Sequence, residues 1–497
     1  MRLLIRADAS ARIGTGHVMR CLSLAQGLHP SDPESVLVAA EITPALEQRL
    51  QAAHVRLVRV GAPAGNAEDA EKTLKIAREV KASWIVVDGY QFGADYQCRI
   101  KTAGFRLLLL DDYGHAEHYS ADLVLNQNLH ANSAYYQKRE SYTRLLLGTR
   151  YALLRREFLA CKERKRGTPA RATKILVTLG GADPDNVSNL VVQAITGLQD
   201  VETVVVLGGS NPNISSLREA VANSPAIKLV VDAQNMPELM AWADVAVAAG
   251  GTTSWELAFM GLPSLVIVLA DNQVDVAHRL SHEGISINLG PFTKLRAEDI
   301  TAALRSLLND APQRLAMEQR GRNLVDGDGV HKIITRLRAA TIGLRRAGVE
   351  DCRRVWEWAN DPGVRASAFS SELIPWESHQ KWFAAKLTSL NSFMFIGSNH
   401  EGAPCGQVRL DWNGREEAEI DVNIDASSRK GGLGSALIRA GVDEALKDYS
   451  LQTIHAHIKP DNSASIRAFE KAGFRRRGTI SVRGHQALHF TLERENE

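Results

Sequence analysis

The chain has 497 residues, with 59 Lys+Arg against 57 Asp+Glu. At ~100–200 residues per domain, that length implies about three domains. A balance of 44% hydrophobic and 23% charged residues is that of a globular chain able to bury substantial cores. The formal net charge of +2 gives no electrostatic basis for nucleic acid or an anionic membrane as the main partner, and the 15 histidines change this only below neutral pH. Five scattered cysteines (Cys21, Cys98, Cys161, Cys352 and Cys405), with no Cys-x-x-Cys, argue against a disulfide framework and a structural zinc site. Met1-Arg2-Leu3-Leu4-Ile5-Arg6 reaches charge too early for a signal-peptide core, and no apolar run approaches the ~18 residues of a spanning helix. A cytoplasmic location is expected.

The first stretch alternates apolar runs with helical patterns. Strands are expected at Leu3–Ala7, Ser35–Ala40, Val55–Val60, Trp84–Val87 and Phe105–Leu110, and helices at Val18–Leu28, Asn66–Val80 and Asp95–Ala103. Such alternation implies a parallel, doubly wound sheet, whose strand carboxyl ends, here Asp88 and Asp111-Asp112, are where ligands bind. The Gly- and Pro-containing charge run Cys161–Lys174 lacks apolar periodicity and reads as a solvated interdomain linker. A second strand–helix series follows at Lys174–Leu179, Val201–Leu207, Ile227–Val231, Val245–Ala248 and Leu265–Leu269. A helical segment near Ala311–Ala340, interrupted at Asp326-Gly327-Asp328-Gly329, ends it. Beyond Ala340 helices precede strands, which is α+β order. Expected domains are 1–165, 166–340 and 341–497.

Ile13-Gly14-Thr15-Gly16-His17 follows the first strand and opens the first helix. Gly14 and Gly16 permit a tight turn whose N–H groups face an anion, at a helix N-terminus. His17, with a near-neutral pKa, suits acid–base work on a water or a leaving group; a histidine that merely caps or packs is the competing account. Gly180-Gly181-Ala182-Asp183 also follows a strand. Ala248-Ala249-Gly250-Gly251-Thr252-Thr253-Ser254-Trp255-Glu256 does so too and then enters a helix, bringing N–H groups and hydroxyls together as a pyrophosphate requires. Glu256 can accept both ribose hydroxyls, or simply offset the helix dipole. Asp271-Asn272-Gln273 ends another apolar strand, where a turn is the alternative role.

Together, Arg6-Ala7-Asp8-Ala9-Ser10, Gly14-Thr15-Gly16-His17-Val18-Met19-Arg20-Cys21, Gly180–Asp183, Gly250–Glu256 and Asp271-Asn272-Gln273 resemble the UDP-sugar hydrolases of pseudaminic acid biosynthesis. The resemblance covers the residues before the α+β segment. It implies a glycosyltransferase-B-like pair of Rossmann-like domains, with UDP held mainly by the second. It also implies metal-free cleavage of the C1–O bond of UDP-2,4-diacetamido-2,4,6-trideoxy-β-L-altropyranose. His17 would position or deprotonate the water. Gly14, Gly16, Gly181, Asn272 and Gln273 would line the substrate, Gly250, Gly251, Thr252, Thr253 and Ser254 would hold phosphate, and Glu256 the ribose. No Asp-x-Asp motif stands near these loops, which fits neutralisation by N–H groups rather than Mg²⁺.

In the last domain Arg429-Lys430-Gly431-Gly432-Leu433-Gly434-Ser435 precedes a helix and matches Arg-x-x-Gly-x-Gly. With Lys459-Pro460-Asp461-Asn462 to Gly473-Phe474, it resembles the GCN5-related N-acetyltransferases (GNAT). That resemblance implies acetyl-CoA as co-substrate, its pyrophosphate on Arg429, Gly432, Gly434 and Ser435, and Asn462 on the CoA arm. Phe469 stands where many members carry a tyrosine that protonates the thiolate, and cannot donate a proton. Glu417, Glu419 and Asp421, alternating along one strand, are candidate bases for the substrate ammonium, with a solvated strand face as the plainer account. Trp356, Trp358, Asn360, Asp361, Arg365, Trp376, His379 and Trp382 crowd the opening helices in a pattern similar to acetyltransferases of amino-sugar nucleotides. Trp stacking on a sugar or uracil competes there with simple burial.

The expected protein is a bifunctional sugar-nucleotide enzyme. One half N-acetylates the 4-amino group of a UDP-aminosugar and the other hydrolyses the product. The rival is a UDP-sugar glycosyltransferase with an acetyl-CoA-sensing domain that does no chemistry. Neither nucleic acid nor a membrane is an expected partner.

Overall fold

The computed structural model describes residues 1–10, 13–209, 211–399, 402–429, 431–448 and 451–494. Its first seven strands are β1 (Leu3–Ala7), β2 (Val36–Ala39), β3 (Arg56–Arg59), β4 (Trp84–Asp88), β5 (Leu107–Leu110), β6 (Leu123–Asn126) and β7 (Arg144–Leu147). They form one parallel sheet in the order β3-β2-β1-β4-β5-β6-β7. β1 and β4 are buried along their whole length, the reason they read as continuous apolar runs rather than alternating ones. The charged exceptions are Asp88, which ends β4, and Arg6 in β1, whose guanidinium lies on Asp69 (2.9 Å) and Asp8 (2.8 Å).

A second parallel sheet, ordered β10-β9-β8-β11-β12-β13, comprises β8 (Lys174–Thr178), β9 (Glu202–Leu207), β10 (Ile227–Val231), β11 (Val245–Ala249), β12 (Ser264–Val268) and β13 (Ser286–Pro291). The third sheet is mixed: β14 (Gly343–Arg346), β15 (Ser392–Ser398), β16 (Pro404–Trp412), β17 (Glu417–Ile424), β18 (Thr453–Ile458), β19 (Arg475–Val482) and β20 (His485–Glu493). Its order is β14-β15-β16-β17-β18-β20-β19, with β17 and β18 its parallel pair. The expected α/β class, two Rossmann-like domains followed by an α+β domain, is thus the observed one.

The chain divides into two compact units, the first Met1–Leu28 with Asp32–Val330 and the second His331 onward with His29–Ser31. Both parallel sheets lie in the first unit and the mixed sheet in the second. The division falls inside the helix Gly329–Ala339. Its last turns belong to the second unit, where Arg336 pairs with Asp443 (3.0 Å) and Ala339 joins the core around Ile420 and Leu437. No helix among the described residues is long and apolar enough to cross a membrane.

Three strands of the parallel sheets, β6, β7 and β13, exceed the expectation. Each is a short run that local pattern does not separate from loop or helix, and pairing with a formed neighbour decides it. The charge run expected to be a solvated linker is partly docked. Arg166 donates to the carbonyls of Met240 and Ala243, at the end of the helix Met236–Trp242, and Ala172 is buried. Those carbonyls have no intrahelical donor, so a guanidinium is held there.

Candidate functional site

The carboxyl edge of the first sheet gathers the loops after β1, β4 and β5, adjacent strands in the sheet. His17 is the second residue of the helix Gly16–Gln26, which follows β1. Its Nδ1 lies 2.7 Å from Oδ1 of Asp88, the last residue of β4. Arg20, one turn further along the same helix, grips Asp88 from the other side, Nε to Oδ2 at 2.6 Å and Nη2 to Oδ1 at 2.6 Å. Its Nη1 reaches Asp112 Oδ1 at 2.8 Å, and Asp112 also accepts from Tyr90 (2.8 Å) and Asn128 (2.8 Å). The Tyr90 ring stands edge-on to His17, with centroids 5.2 Å apart.

Burial opposes ionisation of Asp88, but the charges and hydrogen bonds of Arg20 and His17 outweigh it and hold the carboxyl below its ordinary pKa. Asp112 is depressed in the same way, burial being overcome chiefly by Arg20. With a carboxylate accepting at Nδ1, a neutral His17 imidazole carries its proton on that nitrogen and its lone pair on Nε2. Arg20 keeps two neighbouring carboxylates charged, so the acceptor for His17 is always present.

The loops expected to bind the nucleotide meet this edge. A Cβ on Gly16 would stand 3.6 Å from Thr252 Oγ1, one on Gly181 3.1 Å from Thr15 Oγ1, and one on Gly250 3.1 Å from Gln273 Cβ. Gly14 takes φ +80°, the left-handed conformation that its turn demands. Thr253 is the first residue of the helix Thr253–Met260, and Gly251 is open around its missing Cβ. Ser254 is buried with its hydroxyl toward Ala249 O (3.4 Å), and Gln273 Oε1 accepts from Leu269 N (3.0 Å), so both side chains brace the loops. Asn272 Nδ2 donates to the Tyr90 hydroxyl at 3.2 Å, joining the second sheet's loop to the histidine's surroundings.

Glu256 is engaged by Arg155, whose Nη2 lies 3.0 Å and Nε 3.3 Å from Oε1. Burial raises the Glu256 pKa and Arg155 pulls against it. Sequence reasoning gave no role to Arg20, Tyr90 or Arg155. Arg20 lies within the Gly14–Cys21 motif and Asp88 at a strand end, but Tyr90 and Arg155 carry no local signal, since their partners lie 22 and 101 residues away.

In the second unit Gly432 takes φ +77°, and a Cβ there would lie 2.6 Å from Arg338 Nη1. Gly434 and Ser435 lie in the first turn of the helix Leu433–Asp448, Ser435 donating to Gly432 O at 3.0 Å. Arg429, expected on a pyrophosphate, is held by Asp361 (2.8 Å) and Ile424 O (3.2 Å). Asn462 caps the helix Ser463–Lys471 by accepting from Ser465 N (3.0 Å). Lys430 lies outside the described residues. β17 and β18 pair only from Glu417 to Glu419 and then part, opening the sheet beside this loop. Glu419 Oε1 is 3.0 Å from His457 Nδ1, while Glu417 is 3.9 Å from His455 and Asp421 3.9 Å from Arg409. Phe469 is buried, edge-on to Phe474 at 5.0 Å. Trp358 is core, its Nε1 on Asp425 (2.7 Å); Trp356 and Trp376 pack edge to face at 5.5 Å beneath Arg353.

Two family models match separate stretches of the chain. The glycosyltransferase family 28 C-terminal domain matches residues 174–332, and the acetyltransferase (GNAT) domain matches residues 341–475. The C-terminal domain is a GNAT domain. Among relatives, the uncharacterized protein MJ1062 of Methanocaldococcus jannaschii is 23% identical over 96% of this chain and 97% of its own length. The spore coat polysaccharide biosynthesis protein SpsG of Bacillus subtilis is 25% identical over 67% of this chain and 96% of its own. The UDP-2,4-diacetamido-2,4,6-trideoxy-beta-L-altropyranose hydrolase of Campylobacter jejuni is 24% identical over 58% of this chain and 98% of its own. These likenesses support a sugar-nucleotide-processing enzyme that carries a GNAT acetyltransferase domain.

Proposed function

We propose that the chain is a bifunctional enzyme. Its first unit hydrolyses UDP-2,4-diacetamido-2,4,6-trideoxy-β-L-altropyranose to UDP and the free sugar, and its GNAT domain N-acetylates the 4-amino group of the precursor UDP-aminosugar. The observation that carries the hydrolase reading is the Asp88–His17 pair at 2.7 Å, set where the Gly16 loop meets Thr252. Water attacks the anomeric carbon as its proton passes to His17 Nε2, and the C1–O bond breaks with its electron pair leaving on UDP. Asp88 stabilises the imidazolium that forms. The N–H groups of Thr252 and Thr253, at the start of the helix, take the diphosphate charge; that of Ser254 is held by Gly251 O (3.0 Å).

Glu256 Oε1 is occupied by Arg155, which orients Oε2 for the ribose hydroxyls. Glu256→Ala is therefore expected to weaken UDP binding by ~1–3 kcal/mol, measured by isothermal titration calorimetry. EDTA is expected to leave the rate unchanged; strict dependence on added Mg²⁺ would contradict the metal-free reading.

For the acetyltransferase the glycine turn, open at Gly431 and lined by Arg338 at Gly432, and the parting of β17 and β18 fit acetyl-CoA, which supplies the acetyl thioester when bound. The N–H groups of the helix Leu433–Asp448, rather than the tethered Arg429, take its pyrophosphate. His457, backed by Glu419, receives the ammonium proton of the acceptor. His457→Ala is expected to lower acetylation turnover about a hundredfold while acetyl-CoA binding persists; unchanged turnover would return the role to another group.

The deciding experiment supplies the diacetamido UDP-sugar to the purified chain and follows UDP by ³¹P NMR. Release into water without an acceptor supports the hydrolase. Release only on addition of a sugar or lipid acceptor favours a glycosyltransferase.

A further inference from the structure

Next to His17 the carboxyl edge of the first sheet carries an aromatic surface that the chemistry above does not use. Tyr113 follows β5 and is 43% exposed, although its neighbours Asp111 and Asp112 are buried or paired. The loop that presents it is stiff. Asp111 Oδ1 accepts from the backbone N–H groups of Tyr113 (3.0 Å) and Gly114 (3.0 Å), and Asp111 Oδ2 accepts from the Tyr119 hydroxyl. Gly114, at φ +81°, packs so closely on Tyr135 that a Cβ would lie 2.9 Å from it.

The ring is also supported from behind. It tilts against Tyr90 at 5.0 Å and meets His115 at 6.3 Å. No hydrogen bond holds the Tyr113 hydroxyl among the described residues. The order along the edge is therefore Gly16 and His17 after β1, Tyr90 after β4 and Tyr113 after β5. Thr252, from the phosphate loop, stands at Gly16, the opposite end of that row. Two strand spacings, about 10 Å, separate the histidine's strand from that of Tyr113, the width of a substituted hexose.

We infer that Tyr113 is the platform for the sugar, stacking on the apolar side of a 6-deoxy, N-acylated hexose whose anomeric carbon lies at His17. This rests on the hydrolase reading and names what selects its substrate. A fixed aromatic face favours a C6 methyl and acetamido methyl groups. A hexose with a 6-hydroxyl would lose water from that group against the ring without gaining a partner. As a platform, Tyr113 acts on binding and not on proton transfer.

The test is steady-state hydrolysis of the diacetamido UDP-sugar by the full chain, with UDP inhibition measured alongside. Tyr113→Ala is expected to raise KM about tenfold, with kcat and the UDP inhibition constant near wild type, while Tyr113→Phe retains the wild-type KM. The preference over a UDP-hexose bearing a 6-hydroxyl should shrink in Tyr113→Ala by a similar factor. A KM within twofold of wild type, or an equal weakening of UDP inhibition, overturns the inference. If the wild type releases no UDP, the hydrolase reading fails by itself. Saturation-transfer NMR with the free diacetamido sugar then decides the platform, since a signal equal in wild type and Tyr113→Ala overturns it.

Discussion

His17→Ala is expected to lower hydrolytic turnover about a hundredfold or more while UDP affinity stays close to wild type. The separation follows from the geometry. His17 touches Asp88 and Tyr90, whereas the groups assigned to UDP are the loops at Gly181 and Gly250–Ser254 with Glu256. Truncation removes the proton acceptor and leaves Asp88 on Arg20, so the buried carboxylate keeps a partner and the fold is not expected to suffer. Turnover and UDP titration on the same folded variant check this; near-normal turnover would remove His17 from the mechanism.

The depressed pKa values of Asp88 and Asp112 set the sign of the acid dependence. A carboxylate whose folded pKa is lowered contributes its full stabilisation above its unfolded pKa, about 3.9, and loses it as pH falls through the folded value. The clamp on His17 therefore persists throughout the range from about pH 5 to 8. A rate limb within that range reports another group.

Gly432→Trp should abolish acetyl-CoA binding and leave UDP-sugar hydrolysis intact. Gly432 lies at φ +77°, where a side chain is strained by roughly 1–2 kcal/mol, and the first added carbon already meets Arg338 at 2.6 Å. An indole can be placed only by moving Arg338 or filling the loop, and either removes the surface offered to pyrophosphate. Calorimetry with acetyl-CoA measures the loss, and UDP release by the same variant serves as the control. Wild-type affinity for acetyl-CoA would show that the pyrophosphate lies elsewhere. A fragment for such work should begin near His331 and not at residue 341, because Arg336 pairs with Asp443 and Ala339 is part of the domain's core.

The α/β architecture and the glycine-rich turns at the strand ends could be read from local sequence pattern. Alternating apolar runs and helical spacing are local properties, and a glycine-rich turn between a strand and a helix has few other conformations open to it. Thus β1, β4, β8 and β11 were legible to within one residue at their ends, and the glycine-rich turns at Gly14, Gly250 and Gly432 stood out. Partnerships were not. Asp88 lies 71 residues from His17 and 68 from Arg20, and Arg429 lies 68 from the Asp361 that holds it. No periodicity encodes such pairs, because they form only when strands distant in the chain become neighbours in a sheet. The folded chain is what pairs His17 with Asp88, sets Arg155 on Glu256 and ties Arg429 to Asp361. It also placed Tyr113 beside Tyr90 at the edge of the site, since β4 and β5 are neighbours whose carboxyl ends face the same side.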